Sequence, residues 1–205
     1  YSVVLTTPQT NGEALQVVQT DPAQNPSPPA IVVAPDGTAP PAPIASISAD
    51  GTTVDGTGVS GSTIIVRDAT GASLGTALVD GNGVFLVTLT TPQRDGELLE
   101  VRQADGSGNL SLPVPLVAPD LTAPVGLTAS GAPDGTIVTG SGEVGATVTV
   151  STAGGVALGS AVVGANGSYV VTLTPAQANG EALSAAQRDP AGNLGTPLAL
   201  LAPDI

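Results

Sequence analysis

The sequence predicts an all-β protein made of tandem β-sandwich repeats, and three observations predict it. The triplet Ala-Pro-Asp recurs as Ala34-Pro35-Asp36, Ala118-Pro119-Asp120 and Ala202-Pro203-Asp204, at intervals 120 − 36 = 84 and 204 − 120 = 84. A fixed period of this kind sets the architecture before any local reading. Apolar residues alternate with a period of two, as in Thr63-Ile64-Ile65-Val66-Arg67 and its counterpart Thr147-Val148-Thr149-Val150-Ser151, which is the pattern of a half-buried strand. Turn dipeptides, Asp50-Gly51, Asn82-Gly83 and Asp95-Gly96, separate the apolar runs, and no amphipathic helix of useful length interrupts them.

A shift of 84 superposes Tyr1, Phe85 and Tyr169, then Asn11-Gly12-Glu13, Asp95-Gly96-Glu97 and Asn179-Gly180-Glu181. The chain therefore divides into the last part of a truncated repeat (residues 1–36) and two complete repeats (37–120 and 121–205). In residues 1–36 only the last three or so strands are expected. Too few to close two sheets, they read as a cut-off piece of a longer chain, with something else covering the face of Tyr1, Val3 and Leu5. In the complete repeats, strands are expected around Ile44 to Ser48 and Thr52 to Thr57. Next comes the strand with Ile64 and Val66 inward, then one marked by Leu74, Ala77 and Val79. The following strand has Phe85, Val87 and Leu89 inward, matched by Tyr169, Val171 and Leu173. Leu99 and Val101 mark the sixth strand, and Leu112 to Val117 the seventh. Pro113 and Pro115 place that last strand at a sheet edge, where few ladder donors are needed. About seven short strands per repeat read as an immunoglobulin-like β-sandwich, and the repeats in series as an extended rod.

Composition narrows the chemistry. Cysteine, histidine and lysine are absent, and the basic residues are Arg67, Arg94, Arg102 and Arg188. Thiolate chemistry, zinc-thiolate sites and Ser-His or Cys-His pairs are thereby removed. Seventeen acidic residues give a net charge of −13, so no nucleic-acid partner is expected; the charge instead fits a self-repelling chain or one that recruits divalent cations. No run of 18 apolar residues is present, so no membrane insertion is expected in this segment. Acids repeated every 84 residues make a poor case for a single catalytic pair, and the chain is not read as an enzyme. Aromatics are only Tyr1, Phe85 and Tyr169. A core of Ala, Val, Leu and Ile buries less area per residue, so each repeat is expected to be modestly stable.

Three runs carry a resemblance. Val138-Thr139-Gly140-Ser141-Gly142-Glu143-Val144-Gly145-Ala146-Thr147-Val148-Thr149-Val150, Ala165-Asn166-Gly167-Ser168-Tyr169 and Asp189-Pro190-Ala191-Gly192-Asn193 are similar to the bacterial immunoglobulin-like repeats of giant surface adhesins. These are the biofilm-associated proteins and the adhesins exported by type I secretion. The resemblance implies spacer repeats of an extracellular, cell-surface stalk, with calcium at the junctions. The adhesive target, a host or neighbouring-cell surface, would be met through other domains. Candidate oxygen ligands are Asp21, Asn25, Asp36 and Asp50 at the first junction, and Asp105, Asn109, Asp120 and Asp134 at the second. This grouping supposes that the loop before the last strand lies at the end where the linker leaves. Asp and Asn also cap their own turns, and the sequence leaves both roles open. Glu13, Glu97 and Glu181 read as cross-strand or solvated residues, and Asp55, Asp68 and Asp80 as solvated surface. The alternative to a spacer is a repeat that itself binds glycan, ice or a host protein, or that self-associates.

Overall fold

Short alternating segments and glycine turns give a molecule of strands alone. The computed structural model describes all 205 residues in sixteen strands and no helix. It divides into two units, Tyr1–Pro119 and Asp120–Ile205.

In the first unit, β1 (Ala14–Val17) and β2 (Ala30–Val33) form an isolated antiparallel pair. Seven strands then build a sandwich: β3 (Ile44–Ile47), β4 (Thr53–Thr57), β5 (Thr63–Asp68), β6 (Ser73–Leu78), β7 (Val84–Thr88), β8 (Leu98–Ala104) and β9 (Val114–Val117). One sheet has the order β3-β4-β7 and the other β6-β5-β8-β9. Every pairing is antiparallel, and β9 lies at an edge beside β8 alone. Pro115 is therefore tolerated opposite Glu100, because an edge strand needs ladder donors on one side only. The expected inward set holds: Ile64, Val66, Leu74, Val79, Phe85, Val87, Leu89, Leu99 and Val101 are all buried, together with Val54.

The second unit repeats the plan with β10 (Ser130–Gly131), β11 (Ile137–Ser141), β12 (Thr147–Thr152), β13 (Ala157–Val162), β14 (Ser168–Thr172), β15 (Ala182–Arg188) and β16 (Leu198–Leu201). Its sheets are β10-β11-β14 and β13-β12-β15-β16. Val138, Val148, Val150, Leu158, Val163, Tyr169, Val171, Leu173, Leu183 and Ala185 form the core.

Residues 1–36 differ from expectation. They contain two strands rather than three or so, and Tyr1, Val3 and Leu5 are exposed. The counterpart of residues 1–5 is β7, whose only ladder partner is β4. No counterpart of β4 exists within residues 1–36, so that segment has no strand to pair with; its apolar side chains line an open groove with Leu15, Val17 and Val32 of β1 and β2.

The single core aromatic of each sandwich fixes one close approach. Gly56 pairs with Phe85, and Gly140 with Tyr169. A Cβ at Gly56 would stand 1.9 Å from the Ile44 carbonyl oxygen and 2.9 Å from the Phe85 ring; at Gly140 it would stand 1.9 Å from the Thr128 oxygen and 2.9 Å from the Tyr169 hydroxyl. The ring thus lies over bare backbone, and the Tyr169 hydroxyl donates to the Thr128 carbonyl at 2.7 Å. Gly56→Ala and Gly140→Ala are each expected to lower the unfolding free energy by about 1–3 kcal/mol, the usual cost of overpacking. Gly131→Ala, with open space around its missing side chain, serves as the silent control in the same urea titrations.

Candidate functional site

The loop between the sixth and seventh strands of each repeat is built by one Asp and one Asn four residues apart. In Asp105-Gly106-Ser107-Gly108-Asn109, the Asp105 Oδ1 accepts the Ser107 and Asn109 backbone N–H groups, both at 2.9 Å. The Asn109 Nδ2 donates to Asp105 Oδ2 at 2.9 Å. The Asp189 Oδ1 likewise accepts Gly192 N–H at 2.7 Å and Asn193 N–H at 2.8 Å, and Asn193 Nδ2 donates to Asp189 Oδ2 at 2.8 Å. Asp21 and Asn25 form the same pair at 2.9 and 3.0 Å. The tight loop needs a left-handed residue just before the Asn. Gly108 and Gly192 supply it, whereas in the first copy Gln24 adopts φ 71°, at a steric cost that glycine does not carry.

The Asn side chain has a second N–H to place, and it reaches the linker. Asn109 Nδ2 donates to the Asp36 carbonyl at 3.3 Å. Asn193 Nδ2 donates to the Asp120 carbonyl at 3.1 Å and to Asp120 Oδ1 at 3.3 Å. Each linker Asp also turns its own chain, Asp36 Oδ1 accepting Thr38 N–H and Asp120 Oδ1 accepting Thr122 N–H. Around Asp36 the other side of the linker is held as well. The Thr10 carbonyl accepts Gly37 N–H at 2.8 Å and the Thr38 hydroxyl at 3.1 Å, and Asn11 bridges Asp36. One linker is thus gripped by a turn of the repeat before it and a loop of the repeat after it.

The structure regroups the candidate residues. Asp36 comes together with Asp105 and Asn109, and Asp120 with Asn193 and Asp189. Asp50 lies at the opposite end of its sandwich: its carbonyl accepts Arg94 Nε at 2.8 Å, and Gly51 accepts Gln93 N–H. Gly96, in that same stretch, donates to the Pro119 carbonyl. The seven residues of β8 separate that end from Asp105, a span of roughly 20 Å. Asp134 is displaced from Asp120 in the same way, with Gly135 bonded to Gln177 and β15 between the two ends. Asp21 and Asn25 lie before β2 and Asp36 after it. Neither four-residue set is therefore assembled at one point. The physical reason is chain direction: the last strand carries the chain away from the loop that precedes it, so that loop faces the preceding linker. No group of three or more Asp or Glu side chains is gathered closely enough to hold a metal.

Three glutamates have a role different from either reading of the sequence. Glu13, Glu97 and Glu181 each accept, through Oε2, the backbone N–H two residues earlier, at 2.9, 2.8 and 2.9 Å, closing the turn that meets the linker. Asp68, half-buried, and Asp80, exposed, are turn caps, accepting Thr70 and Ala72 N–H and Asn82 and Val84 N–H respectively. The Asp55 carboxylate accepts the Ser46 hydroxyl at 3.2 Å.

Two functional side chains escaped the sequence reading. Gln103 and Gln187 are fully buried. Gln103 Oε1 accepts Val59 N–H at 2.9 Å, and its Nε2 donates to the Pro41 carbonyl. Gln187 Oε1 accepts Glu143 N–H at 3.1 Å, and its Nε2 donates to the Val125 carbonyl at 2.8 Å. Each carboxamide pins the segment after the linker to the body of its repeat, and its own buried polar atoms are satisfied by backbone groups outside the strands. The signal was available: Gln103 continues the inward register of Leu99 and Val101, and Gln19, Gln103 and Gln187 recur at 84.

Hydrogen bonds set the electrostatics of these turns. The Ser48 and Thr52 hydroxyls hold the Asp50 carboxyl down at about 2. Thr136 lowers Asp134, and the Asn109 side chain lowers Asp105; the Asn25 backbone N–H lowers Asp21. Burial pushes Asp189 upward, but Asn193 and the loop N–H groups outweigh it and leave it lowered. These carboxylates are stabilised as anions by neutral donors alone.

A family model described as a bacterial Ig domain matches three stretches of the chain, residues 1–36, 39–120 and 123–204. Among solved structures the chain is similar to a "Biofilm associated protein - BSP domain", at 21% identity over 80% of this chain and 29% of that one, TM-score 0.35. It is also similar to a two-domain fibronectin type-III segment of chicken tenascin (12% identity, 80% and 98% covered, TM-score 0.38) and to a cytokine receptor complex (19%, 77% and 95%, TM-score 0.36). No curated protein matches the chain.

Asn193→Ala removes the donor shared by Asp189 and Asp120, and is expected to destabilise the second unit by about 1–2 kcal/mol in urea titrations. Asp50 gives a pH test. Its folded pKa of about 2 lies below the unfolded value near 3.9, so its contribution is complete above about pH 4 and is lost as pH falls towards about 2. Asp50→Asn is therefore expected to flatten the acid-side fall in urea midpoint across that window. Equal slopes in the two proteins would refute the assignment.

Proposed function

This chain belongs to the bacterial Ig domain family, and from that membership together with the gripped linker we propose that it is a spacer segment in the stalk of a bacterial cell-surface adhesin, acting outside the cell in adhesion and biofilm formation. The observation that carries this reading is the Asp36 linker, held by Thr10 and Asn11 on one side and by Asn109 on the other. A spacer must transmit position from one repeat to the next, so its linkers must not swing freely. Proline at 35, 40 and 41 limits the backbone, since it fixes φ and restricts its predecessor; the Asn and Thr bonds then choose among the conformers left. Export by a type I route, with folding outside the cell, belongs to the same proposal.

Calcium is the second part of this reading. The ion is a hard cation that takes six to eight oxygen ligands. The residues now together, Asp36 with Asp105 and Asn109, and Asp120 with Asp189 and Asn193, offer two carboxylates, a carboxamide and carbonyls per joint, with water needed for the remainder. The fit is partial, because the Asp105 and Asp189 oxygens already accept N–H donors. When bound, the ion would supply charge neutralisation between acidic repeats. What the chain's own residues do is hold the linker in place by hydrogen bonds, so calcium would tighten a joint that is already restrained.

Small-angle scattering on this chain and on an Asn109→Ala/Asn193→Ala variant tests both parts. In chelator, the wild type is expected to show the narrower distribution of end-to-end distances. Added calcium is expected to narrow it further, with a midpoint on the order of 10⁻⁴–10⁻³ M, as for extracellular modules. Identical distributions for both proteins would overturn the clasp; no response to calcium would overturn its part alone.

A further inference from the structure

Four asparagines of this chain are followed by glycine, in Asn11-Gly12, Asn82-Gly83, Asn166-Gly167 and Asn179-Gly180, and all four are exposed. Glycine has no Cβ, so its nitrogen can approach the preceding carboxamide with little hindrance. Three of these glycines are held back by the fold. Gly83 N–H donates to the Asp80 carbonyl at 3.0 Å, Gly167 N–H to the Gly164 carbonyl at 2.8 Å and Gly180 N–H to the Pro203 carbonyl at 2.9 Å. Gly12 N–H reaches the Pro35 carbonyl only at 3.4 Å, beyond the range of a well-formed bond. The carboxamides differ in the same sense. Asn179 Nδ2 donates to Glu181 Oε1 at 3.2 Å, and Asn166 Oδ1 accepts Ser168 N–H at 3.2 Å, whereas the Asn11 side chain makes no hydrogen bond. The equivalent position of the middle repeat is Asp95. Its N–H is accepted by Glu97 as that of Asn11 is by Glu13, so a carboxylate fits this turn.

We propose that Asn11-Gly12 is a site of spontaneous covalent modification, at which conversion of Asn11 to isoaspartate loosens the linker at Asp36. The free carboxamide turns to place Cγ over the Gly12 nitrogen. That nitrogen attacks Cγ, and the new C–N bond closes a succinimide ring. The Gly12 proton passes through water to the side-chain nitrogen, which leaves as ammonia. Water then adds to either ring carbonyl and breaks one C–N bond, giving aspartate or, mainly, isoaspartate; nothing is oxidised or reduced. In isoaspartate the backbone runs through Cβ and Cγ and is one atom longer between Thr10 and Gly12. Those two residues hold the linker together: the Thr10 carbonyl accepts Gly37 N–H and the Thr38 hydroxyl, Gly12 faces Pro35, and Asn11 bridges Asp36. A longer chain between them cannot keep all of these in register. The bond from Asn109 to the Asp36 carbonyl lies on the other side and is untouched, so the joint is released on one side only. The chemistry stands apart from the spacer role; only its consequence falls on the joint that this role requires.

The test is peptide mapping by mass spectrometry on the full chain, incubated at mildly alkaline pH, with isoaspartate identified by enzymatic methylation of the isoaspartyl carboxylate. Asn11 is expected to gain about 1 Da first. Its rate should exceed that of Asn179 by about three- to tenfold, the factor that one hydrogen bond contributes. In concentrated urea, where both turns are lost, the two rates should converge. Hydrogen exchange then reads the joint. In the isoaspartate fraction, exchange at Gly37 is expected to quicken about tenfold as its bond to Thr10 opens, while freshly prepared Asn11→Asp exchanges like the wild type. The proposal is overturned if Asn11 and Asn179 are modified at equal rates in the folded chain, or if the same rate difference persists in urea, which would assign it to flanking residues rather than to the fold. Unchanged exchange at Gly37 in the isoaspartate fraction would overturn the loosening of the linker, and equal quickening in Asn11→Asp would assign it to charge instead of backbone length.

Discussion

Seven antiparallel strands carry a chain into a sandwich at one end and out at the other, and everything at the joints follows from that odd number. The loop ahead of the last strand must lie at the leading end, beside the linker from the repeat before. The turn ahead of β8 must lie at the trailing end, beside the linker that follows. Asp105 and Asn109 therefore meet Asp36, and Gly96 meets Pro119. A repeat so built has two different ends, one that donates through an asparagine amide and one that offers turn carbonyls, and such ends can be joined in series without changing the plan.

Neutral hydrogen bonds govern the acidic surface. A chain of net charge −13 has to place its carboxylates where repulsion does least harm. Most of those near the turns serve as caps, accepting backbone N–H groups that the strands leave without partners. Asp50, Asp68, Asp80, Asp105, Asp134 and Asp189 are all shifted toward the ionised form in this way. Donors directed at a carboxylate stabilise the anion at fixed geometry, and they compete with any cation that would use the same oxygens. The half-exposed ion pair of Arg102 with Glu100 is the exception, and at a site open to solvent it adds little to stability.

The core relies on small residues and close backbone contact. Valine, leucine and alanine fill both sandwiches around one aromatic ring apiece. With so little area per side chain, glycine at positions 56 and 140 lets the ring rest on the sheet itself. The buried amides of Gln103 and Gln187 stand in the inward row where an aliphatic residue would add apolar area. Their presence exchanges some hydrophobic stabilisation for a fixed path of the chain where it enters the sandwich, since each carboxamide bonds a carbonyl 62 residues away and an N–H 44 residues away.

By itself the sequence determined the repeat length, the number and inward faces of the strands in the complete repeats, the edge position of β9, and the place of one Asp and one Asn in each loop. These are local properties: alternation follows from the pleat, and a side chain four residues from its partner needs no distant context. Strand parity was also present in the sequence, and counting seven would have sent Asp50 and Asp134 to the far end. Only the tertiary structure decided that Asn109 reaches the Asp36 carbonyl 73 residues away, that a glutamine in a core register is satisfied rather than stranded, and that Glu100 hydrogen-bonds Arg102 rather than its cross-strand neighbour Arg67. Those outcomes depend on the packing of two sheets and on which of several nearby donors comes within about 3 Å of an acceptor, a distance that residue spacing along the chain does not encode.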